Sequence, residues 1–334
     1  MFNTNDFIKS IFKSNIENFD ELTLQAFAYQ FSTNLVYQQY CKLNNIFDIQ
    51  SVTNVAQIPF LPIQFFKNKK IVCGAANEEI IFTSSSTSGQ GESKHFVTNL
   101  NFYQQSFFTA FEHFYGPIKD YCFLALLPSY LERKGSSLIL MCDELIKASE
   151  HTLSNFYLYN HTELLAVLIE LKSKKQKTIL LGATFGLLDF AEEFQINFPD
   201  LIVVETGGMK GRKKEMIRSE IHEILQNGFG VNKIHSEYGM TELLSQAYSF
   251  GEGLFECAPW MKVKISDNTD PFSFVNENKS GVINVIDLAN INSCCFIQTQ
   301  DIGKIIPNSI GKNQFEVLGR LDYSDVRGCS LLTV

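Results

Sequence analysis

The chain has 334 residues and a formal net charge of −8, and 45% of its residues are hydrophobic. That is enough apolar material for a large core, which excludes a disordered chain. The acidic balance argues against a nucleic-acid binder, because such a protein needs a basic face. No run reaches the roughly 20 apolar residues that a membrane-spanning helix requires. The N-terminus lacks the apolar core of a signal peptide, so we expect a cytoplasmic protein.

The order of predicted elements indicates an α/β protein. Apolar residues at helical spacing between residues 5 and 45 predict two or three helices, within an N-terminal segment (1–78) packed on the core. From residue 79 strands and helices alternate, which predicts a mainly parallel sheet with ligands near the carboxyl ends of its strands. In chain order these are strand 79–82, helix 100–114, strand 121–127, helix 136–148, strand 178–181, helix 185–194, strand 201–205 and helix 212–227.

The remainder of the chain is predicted to be rich in β-structure. Four strands are expected beyond residue 245, at 263–265, 282–285, 296–299 and 315–318. Together with the preceding elements they should form one compact core over residues 79–334. None of the eight cysteines forms a CxxC pair, so no zinc site is predicted and the thiols are expected to be reduced.

A tract rich in hydroxyl groups and glycine follows the first predicted strand. Its candidate phosphate-binding residues are Ser84, Ser85, Ser86, Thr87, Ser88 and Gly89, and it ends at Lys94. Hydroxyl and backbone N–H groups donate to phosphate oxygens, glycine permits close approach, and lysine adds a positive charge. The pattern GxxxxGK[ST] is absent, and an ordinary surface loop explains the tract, taken by itself, equally well.

A second candidate segment, HSEYGMTE at 235–242, follows the apolar run 231–234. Tyr238 can stack on a purine, Thr241 can reach a phosphate, and Glu242 can hold the Mg²⁺ that bridges phosphates. A turn capped by the threonine is the alternative interpretation.

Two short motifs follow near the end of the chain. Asp301, at the end of a predicted strand, can accept hydrogen bonds from both ribose hydroxyls, although a turn aspartate is the commoner case. Arg320, in the segment GRLD at 319–322, can bind phosphate or ribose oxygens in a fork.

In this order the four motifs resemble those of the adenylate-forming superfamily of acyl-CoA synthetases, adenylation domains and luciferases. Within it, the chain resembles the LuxE-type acyl-protein synthetases. The segments that carry this closer resemblance are LPSYLER at 127–133, TGGMKG at 206–211, DLAN at 287–290 and RGCSLL at 327–332. The resemblance implies the large N-terminal domain of these enzymes, with mixed or parallel sheets flanked by helices. Their small C-terminal domain is expected to be absent, because the chain stops soon after GRLD.

The resemblance implies a role for each matched residue. Residues 84–94 would hold the β- and γ-phosphates of ATP, Gly207 and Gly208 would lie against the adenine, and Tyr238, followed by Gly239, would stack on it. Asp301 would hold the ribose. The residues implied in catalysis are Lys94, Thr241, Glu242 and Arg320, with Glu242 as the Mg²⁺ ligand. One departure is Gln300, which stands where the family has the glycine of Thr-Gly-Asp.

The implied function is ATP-dependent activation of a carboxylic acid, expected to be a fatty acid, to an acyl-adenylate. The acyl group would then pass to a protein cysteine or a partner, for which an acyl-transferase, a reductase or an acyl-carrier protein is expected. Cys329, beside Arg327, is the candidate nucleophile. A buried strand at Cys329 and the pair Cys294–Cys295 are alternatives. The competing functions are a phenylacetate-type acyl-CoA ligase and a nucleotide-binding partner subunit without turnover.

Overall fold

The computed structural model describes residues 2–13, 18–84, 91–127, 135–207, 216–307 and 313–321. In these ranges the helices are α1 (Thr4–Ile11), α2 (Phe19–Thr33), α3 (Leu35–Leu43), α4 (Phe65–Asn68), α5 (Leu100–Tyr115), α6 (Ser137–Ser149), α7 (His161–Ser173), α8 (Thr184–Glu193) and α9 (Arg218–Phe229). Across the same ranges, we find no helix with the length and apolar character needed to cross a bilayer.

The strands of the described residues are β1 (Leu61–Pro62), β2 (Ile80–Thr83), β3 (Lys94–Val97), β4 (Cys122–Leu126), β5 (Asn155–Tyr157), β6 (Thr178–Ala183), β7 (Ile202–Thr206), β8 (His235–Tyr238), β9 (Ala247–Ser249), β10 (Leu254–Cys257), β11 (Met261–Ser266), β12 (Gly281–Asp287), β13 (Phe296–Pro307) and β14 (Asn313–Arg320).

Most strands join one mixed sheet, in the spatial order β11-β12-β13-β14-β10-β9-β8-β7-β6-β4-β5. The strands from β5 to β8 pair in parallel. From β8 onward each neighbouring pair is antiparallel. A short β1 pairs with β13, and β2 and β3 form a separate antiparallel hairpin. The sheet thus changes from parallel to antiparallel at β8, which ends at Tyr238.

The parallel half of the sheet is buried on both faces. Along β4, Phe123 and Ala125 pack in the cluster that contains α5 and α6, whereas Cys122 and Leu124 pack in the cluster that contains α7 and α9. Successive side chains of a strand point to opposite faces. Strands covered on both faces are therefore apolar at every position rather than at alternate ones, which is why β4 and β6 stand out in the sequence.

The N-terminal helices are tied to the segment that follows β12. The amide of Gln30 on α2 donates to the carbonyls of Asn290 and Ile291, at 3.1 and 2.9 Å. The Asn34 amide donates to the Ser293 carbonyl at 2.9 Å. Both side chains are buried, so these bonds satisfy polar groups that water does not reach. Whether residues 1–78 form a segment of their own stays a prediction.

The predicted α/β fold, with a sheet flanked by helices and a β-rich portion after residue 245, is confirmed. The apolar run 231–234 leads into the HSEYGMTE segment and lies between the end of α9 and the start of β8. Gly230 adopts a left-handed conformation and the Val231 N–H returns to the Gln226 carbonyl, which is the usual way to close a helix. The strand begins only at His235, so Tyr238 lies on the strand itself.

Candidate active site

The β2–β3 hairpin fixes both ends of the hydroxyl-rich tract. Thr83 pairs with Lys94. The Ser84 N–H donates to the Ser93 carbonyl at 3.1 Å, and the Ser93 N–H donates to the Ser84 hydroxyl at 2.9 Å. Lys94 therefore begins β3 with an exposed side chain, directly beside the two ends of the tract. Five of the predicted phosphate-binding residues lie outside the described residues: Ser85, Ser86, Thr87, Ser88 and Gly89.

Residues 239–246 connect β8 to β9, and we call them the Thr241 loop. They carry Gly239, Thr241 and Glu242. Two side chains reach this loop, that of Ser93, which precedes β3, and that of His95, which lies on β3. The hydroxyl of Ser93 hydrogen-bonds with the Glu242 carboxylate, and Nδ1 of His95 lies 2.9 Å from the Thr241 carbonyl oxygen. These contacts bring the β2–β3 hairpin and the Thr241 loop together.

Glu242 is 4% exposed. Burial raises the pKa of its carboxyl, while the Ser93 hydroxyl and the Arg320 guanidinium lower it and the negative charge of Asp301 raises it further. Glu242, Asp301 and Arg320 are therefore close enough to act on one another electrostatically. A carboxylate that is removed from water and lies near a second carboxylate favours a bound cation. The two negative charges repel each other, and a cation would relieve this repulsion.

Asp301 and Arg320, from the two motifs near the end of the chain, contact each other at the edge of the Thr241 loop, where Asp301 also contacts Tyr238. Tyr238 donates its hydroxyl to Oδ2 of Asp301 at 2.8 Å. Arg320 pairs with Asp301 across β13 and β14, and its Nε lies 3.4 Å from Oδ1 of that carboxylate. Burial raises the pKa of Tyr238 well above the usual value for tyrosine, so its hydroxyl stays protonated and donates. The Tyr238 ring packs against Phe255 and Phe315.

The glycines of the site meet specific backbone demands. Gly207, which follows β7, has φ +81°, a conformation that a side chain would strain. At Gly239 an added Cβ would meet the tip of the Glu237 side chain, so that carboxylate would have to move. Glu237 itself accepts a hydrogen bond from the Thr206 hydroxyl, which joins the ends of β7 and β8. Gly208 lies outside the described residues.

Two further residues hold the Thr241 loop, and sequence analysis gave them no role. The Asn290 amide donates to the Glu242 carbonyl at 2.8 Å. The Asp287 carboxylate accepts from the N–H groups of Leu244 and Ser245, at 2.8 and 3.0 Å, and from the Ser245 hydroxyl at 2.5 Å. The DLAN segment, noticed only as a family resemblance, is the sequence signal that could have identified both.

Burial raises the pKa of Asp287 to about 6. The neighbouring titratable groups are the thiols of Cys257 and Cys295, whose own raised pKa values keep them neutral in this range. Between about pH 4 and pH 6 Asp287 therefore binds a proton more readily in the folded protein than in the unfolded chain. The stability that this proton contributes is fully present below about pH 4 and is lost as the pH rises through about 6.

We expect Asp287→Asn to remove this dependence. Between about pH 7 and pH 4 the free energy of unfolding of the wild type should rise relative to that of the variant by about 2 kcal/mol. Urea unfolding of both proteins across this range measures the difference. Two curves that run parallel would show that folding does not change the pKa of Asp287.

The described cysteines make poor nucleophiles. Six are buried: Cys41, Cys73, Cys122, Cys142, Cys294 and Cys295. Cys257 is partly exposed, yet burial of its thiol still raises its pKa to about 12. The alternative nucleophile pair Cys294–Cys295 is contradicted, because both residues have no exposed surface and burial raises their pKa values well above the usual range. Cys329 lies outside the described residues.

Comparison with known proteins supports the resemblance predicted from the sequence. The family model for LuxE acyl-protein synthetases matches residues 6–101. A long-chain-fatty-acid–luciferin-component ligase of Aliivibrio fischeri is 23% identical to the chain over 345 residues, which cover 96% of this chain and 89% of that protein. The resemblance to LuxE-type acyl-protein synthetases is thereby confirmed.

Solved structures of adenylate-forming ligases share the fold. A 2-hydroxyisobutyryl-CoA ligase in complex with 2-HIB-AMP and CoA superposes with a TM-score of 0.66 at 14% identity, covering 93% of this chain and 70% of that chain. ATP-bound MatB from Rhodopseudomonas palustris gives a TM-score of 0.53 at 15% identity, covering 72% of this chain and 47% of that one. At these identities the likeness establishes the architecture.

Proposed function

We propose that this protein is an ATP-dependent ligase that activates a fatty acid to an acyl-adenylate and passes the acyl group to a thiol. The observation that carries the proposal is the convergence of four separate motifs on one site, through the contacts Ser93–Glu242, Tyr238–Asp301 and Arg320–Asp301. A fatty acid is favoured because the Aliivibrio fischeri relative is a long-chain-fatty-acid ligase.

The proposed chemistry is a displacement at the α-phosphorus of ATP. A carboxylate oxygen of the acid forms the new P–O bond, and the bond to the bridging oxygen breaks with release of pyrophosphate. Lys94 and Arg320 neutralise charge on the phosphate oxygens, and the Thr241 hydroxyl donates to the α-phosphate. Asp301 accepts hydrogen bonds from the ribose. Catalysis then consists mainly of positioning and charge neutralisation.

The residues of the site fit a magnesium ion. Within the described ranges no cluster of three acidic, histidine or cysteine side chains is present. Mg²⁺ commonly uses one or two carboxylates together with substrate phosphates. Glu242 supplies one such carboxylate, desolvated and near Asp301. When bound, the ion would neutralise charge on the departing pyrophosphate. Glu242 would hold it, and Ser93 would orient that carboxylate.

The acyl acceptor is proposed to be Cys329. The other seven cysteines are buried or have raised pKa values, or both, and a thiol that stays protonated is a weak nucleophile. An acyl-transferase, a reductase or an acyl-carrier protein would then take the acyl group. Coenzyme A is the alternative acceptor, favoured by the fold shared with a ligase that binds CoA.

Exchange of radiolabelled pyrophosphate into ATP tests the proposal. We expect exchange that requires the protein, Mg²⁺ and a fatty acid, measured against a panel of short, medium and long fatty acids and aromatic acids. Asp301→Ala should abolish it, because the variant removes the partner of both Tyr238 and Arg320. Asp270→Ala, in an exposed loop, is the matched control. ATP binding without exchange for any acid would instead support a nucleotide-binding subunit.

A further inference from the structure

We propose that His95 is a positioning residue for adenylation, which holds the main-chain carbonyl of Thr241 and so sets the Thr241 loop against the hairpin that carries Lys94. This inference rests on the proposed function. His95 is 1% exposed, and its Nδ1 lies 2.9 Å from the Thr241 oxygen. The contact joins residues 146 positions apart.

The direction of this hydrogen bond follows from the chemistry of its partners. A carbonyl oxygen can only accept, so Nδ1 carries the hydrogen. Burial lowers the pKa of His95 to about 4, which keeps the ring neutral at physiological pH. Phe66 packs edge-on against the ring, with 5.7 Å between centroids. His95 is thus a buried, neutral donor on β3.

The Thr241 loop depends on donors from outside it. Within the loop, one backbone hydrogen bond closes a turn, from the Leu243 N–H to the Met240 carbonyl. His95 donates to the carbonyl of Thr241, and Asn290 donates to that of Glu242. Two successive carbonyls are therefore held from two different elements. This fixes the peptide between the residue proposed to reach the α-phosphate and the residue proposed to hold Mg²⁺.

The alternation of β3 explains why this role falls to His95. Lys94 points outward and is exposed, whereas His95 points inward and is buried. In β3, Lys94 is thus directed toward the proposed substrate side, and His95 holds the Thr241 loop by a hydrogen bond. A small displacement of the loop relative to Lys94 should lower the rate sharply, because misplacement by about 1 Å can cost about 100-fold.

A matched pair of substitutions separates this role from packing. His95→Asn places an amide N–H close to the position of Nδ1, whereas His95→Gln places it one methylene farther out. Both remove the ring from its contact with Phe66 and should lower the melting temperature similarly. We expect His95→Asn to retain most of the exchange per folded molecule, and His95→Gln to lose about 100-fold in kcat with little change in the KM for ATP.

Several outcomes would overturn the inference while leaving adenylation intact. One is equal pyrophosphate exchange by His95→Asn and His95→Gln while the wild type is active. Lost packing of the ring would then explain any decrease. Phe66→Leu is the control, because it disturbs the ring without touching Thr241, and it should lower stability but not exchange per folded molecule. If neither variant folds, ¹⁵N NMR of the wild-type imidazole decides. The neutral tautomer protonated at Nδ1 is required, and the Nε2 tautomer excludes the bond. A wild type inactive with every acid would instead refute the proposed function.

Discussion

Glu242→Gln should leave the fold intact and lower acid-dependent pyrophosphate exchange by on the order of 100-fold at limiting Mg²⁺. The amide has the size of the carboxyl and can still bond with Ser93, so little packing is lost. Burial opposes the charge of Glu242 in the free protein, so the neutral variant should unfold at an equal or higher temperature. What the substitution removes is the charge that would attract the ion.

Calorimetric titration of ATP with and without Mg²⁺ tests this independently of turnover. The wild type should bind Mg·ATP more tightly than ATP, and the variant should show little difference between them. Glu223→Gln, an exposed substitution on α9, is the matched control and should behave as the wild type. If Glu242→Gln exchanged at the wild-type rate at limiting Mg²⁺, the carboxylate would have a structural role, in holding Ser93 and the hairpin.

The site lies where the architecture of the sheet changes. β8 is the last parallel strand and pairs on its other side with the antiparallel β9. The chain must leave the carboxyl end of β8 and turn back within residues 239–246. A loop of this kind can present side chains to a ligand, but its backbone lacks the regular hydrogen bonds of a strand. Side chains from other elements therefore have to supply them, which is the part that His95, Asn290 and Asp287 play.

The sequence predicted the residues of the candidate site better than the contacts that support them. Tyr238, Glu242, Asp301 and Arg320 follow from short motifs, and the structure brings them together. His95 follows Lys94 directly but belongs to no motif. Its partner lies far along the chain, so no local spacing or periodicity indicates the pair. Such contacts emerge only when the hairpin and the loop are placed in three dimensions.

Two kinds of element were also missed. The helix α7 was not predicted, although its buried leucines Leu164, Leu168 and Leu171 recur at helical spacing. Here the signal was present and unused. The strands β9 and β10, of three and four residues, are a different case. They are too short for an alternating pattern to be recognised, and they are defined by their pairing with each other.

Cys329→Ser should abolish covalent labelling of the protein while leaving pyrophosphate exchange near the wild-type rate. With ATP and a radiolabelled fatty acid, the wild type should retain label after denaturation, and hydroxylamine should release it, as expected for a thioester. The variant should form the acyl-adenylate but retain no label, because a serine hydroxyl is a far weaker nucleophile than a thiolate. Electrophoresis after denaturation, followed by peptide mapping, measures both the loss and the site.

The buried thiols make this test selective. Among the described cysteines, Cys257 has the greatest exposure, so Cys257→Ser is the matched control and should label normally. Brief alkylation of the native protein should modify Cys329 first, because the described thiols are shielded or stay protonated. Label that persists in Cys329→Ser, or that maps to another cysteine, would transfer the acceptor role to that residue. Label lost from Cys329→Ser together with pyrophosphate exchange would place Cys329 in adenylation itself rather than in the transfer that follows.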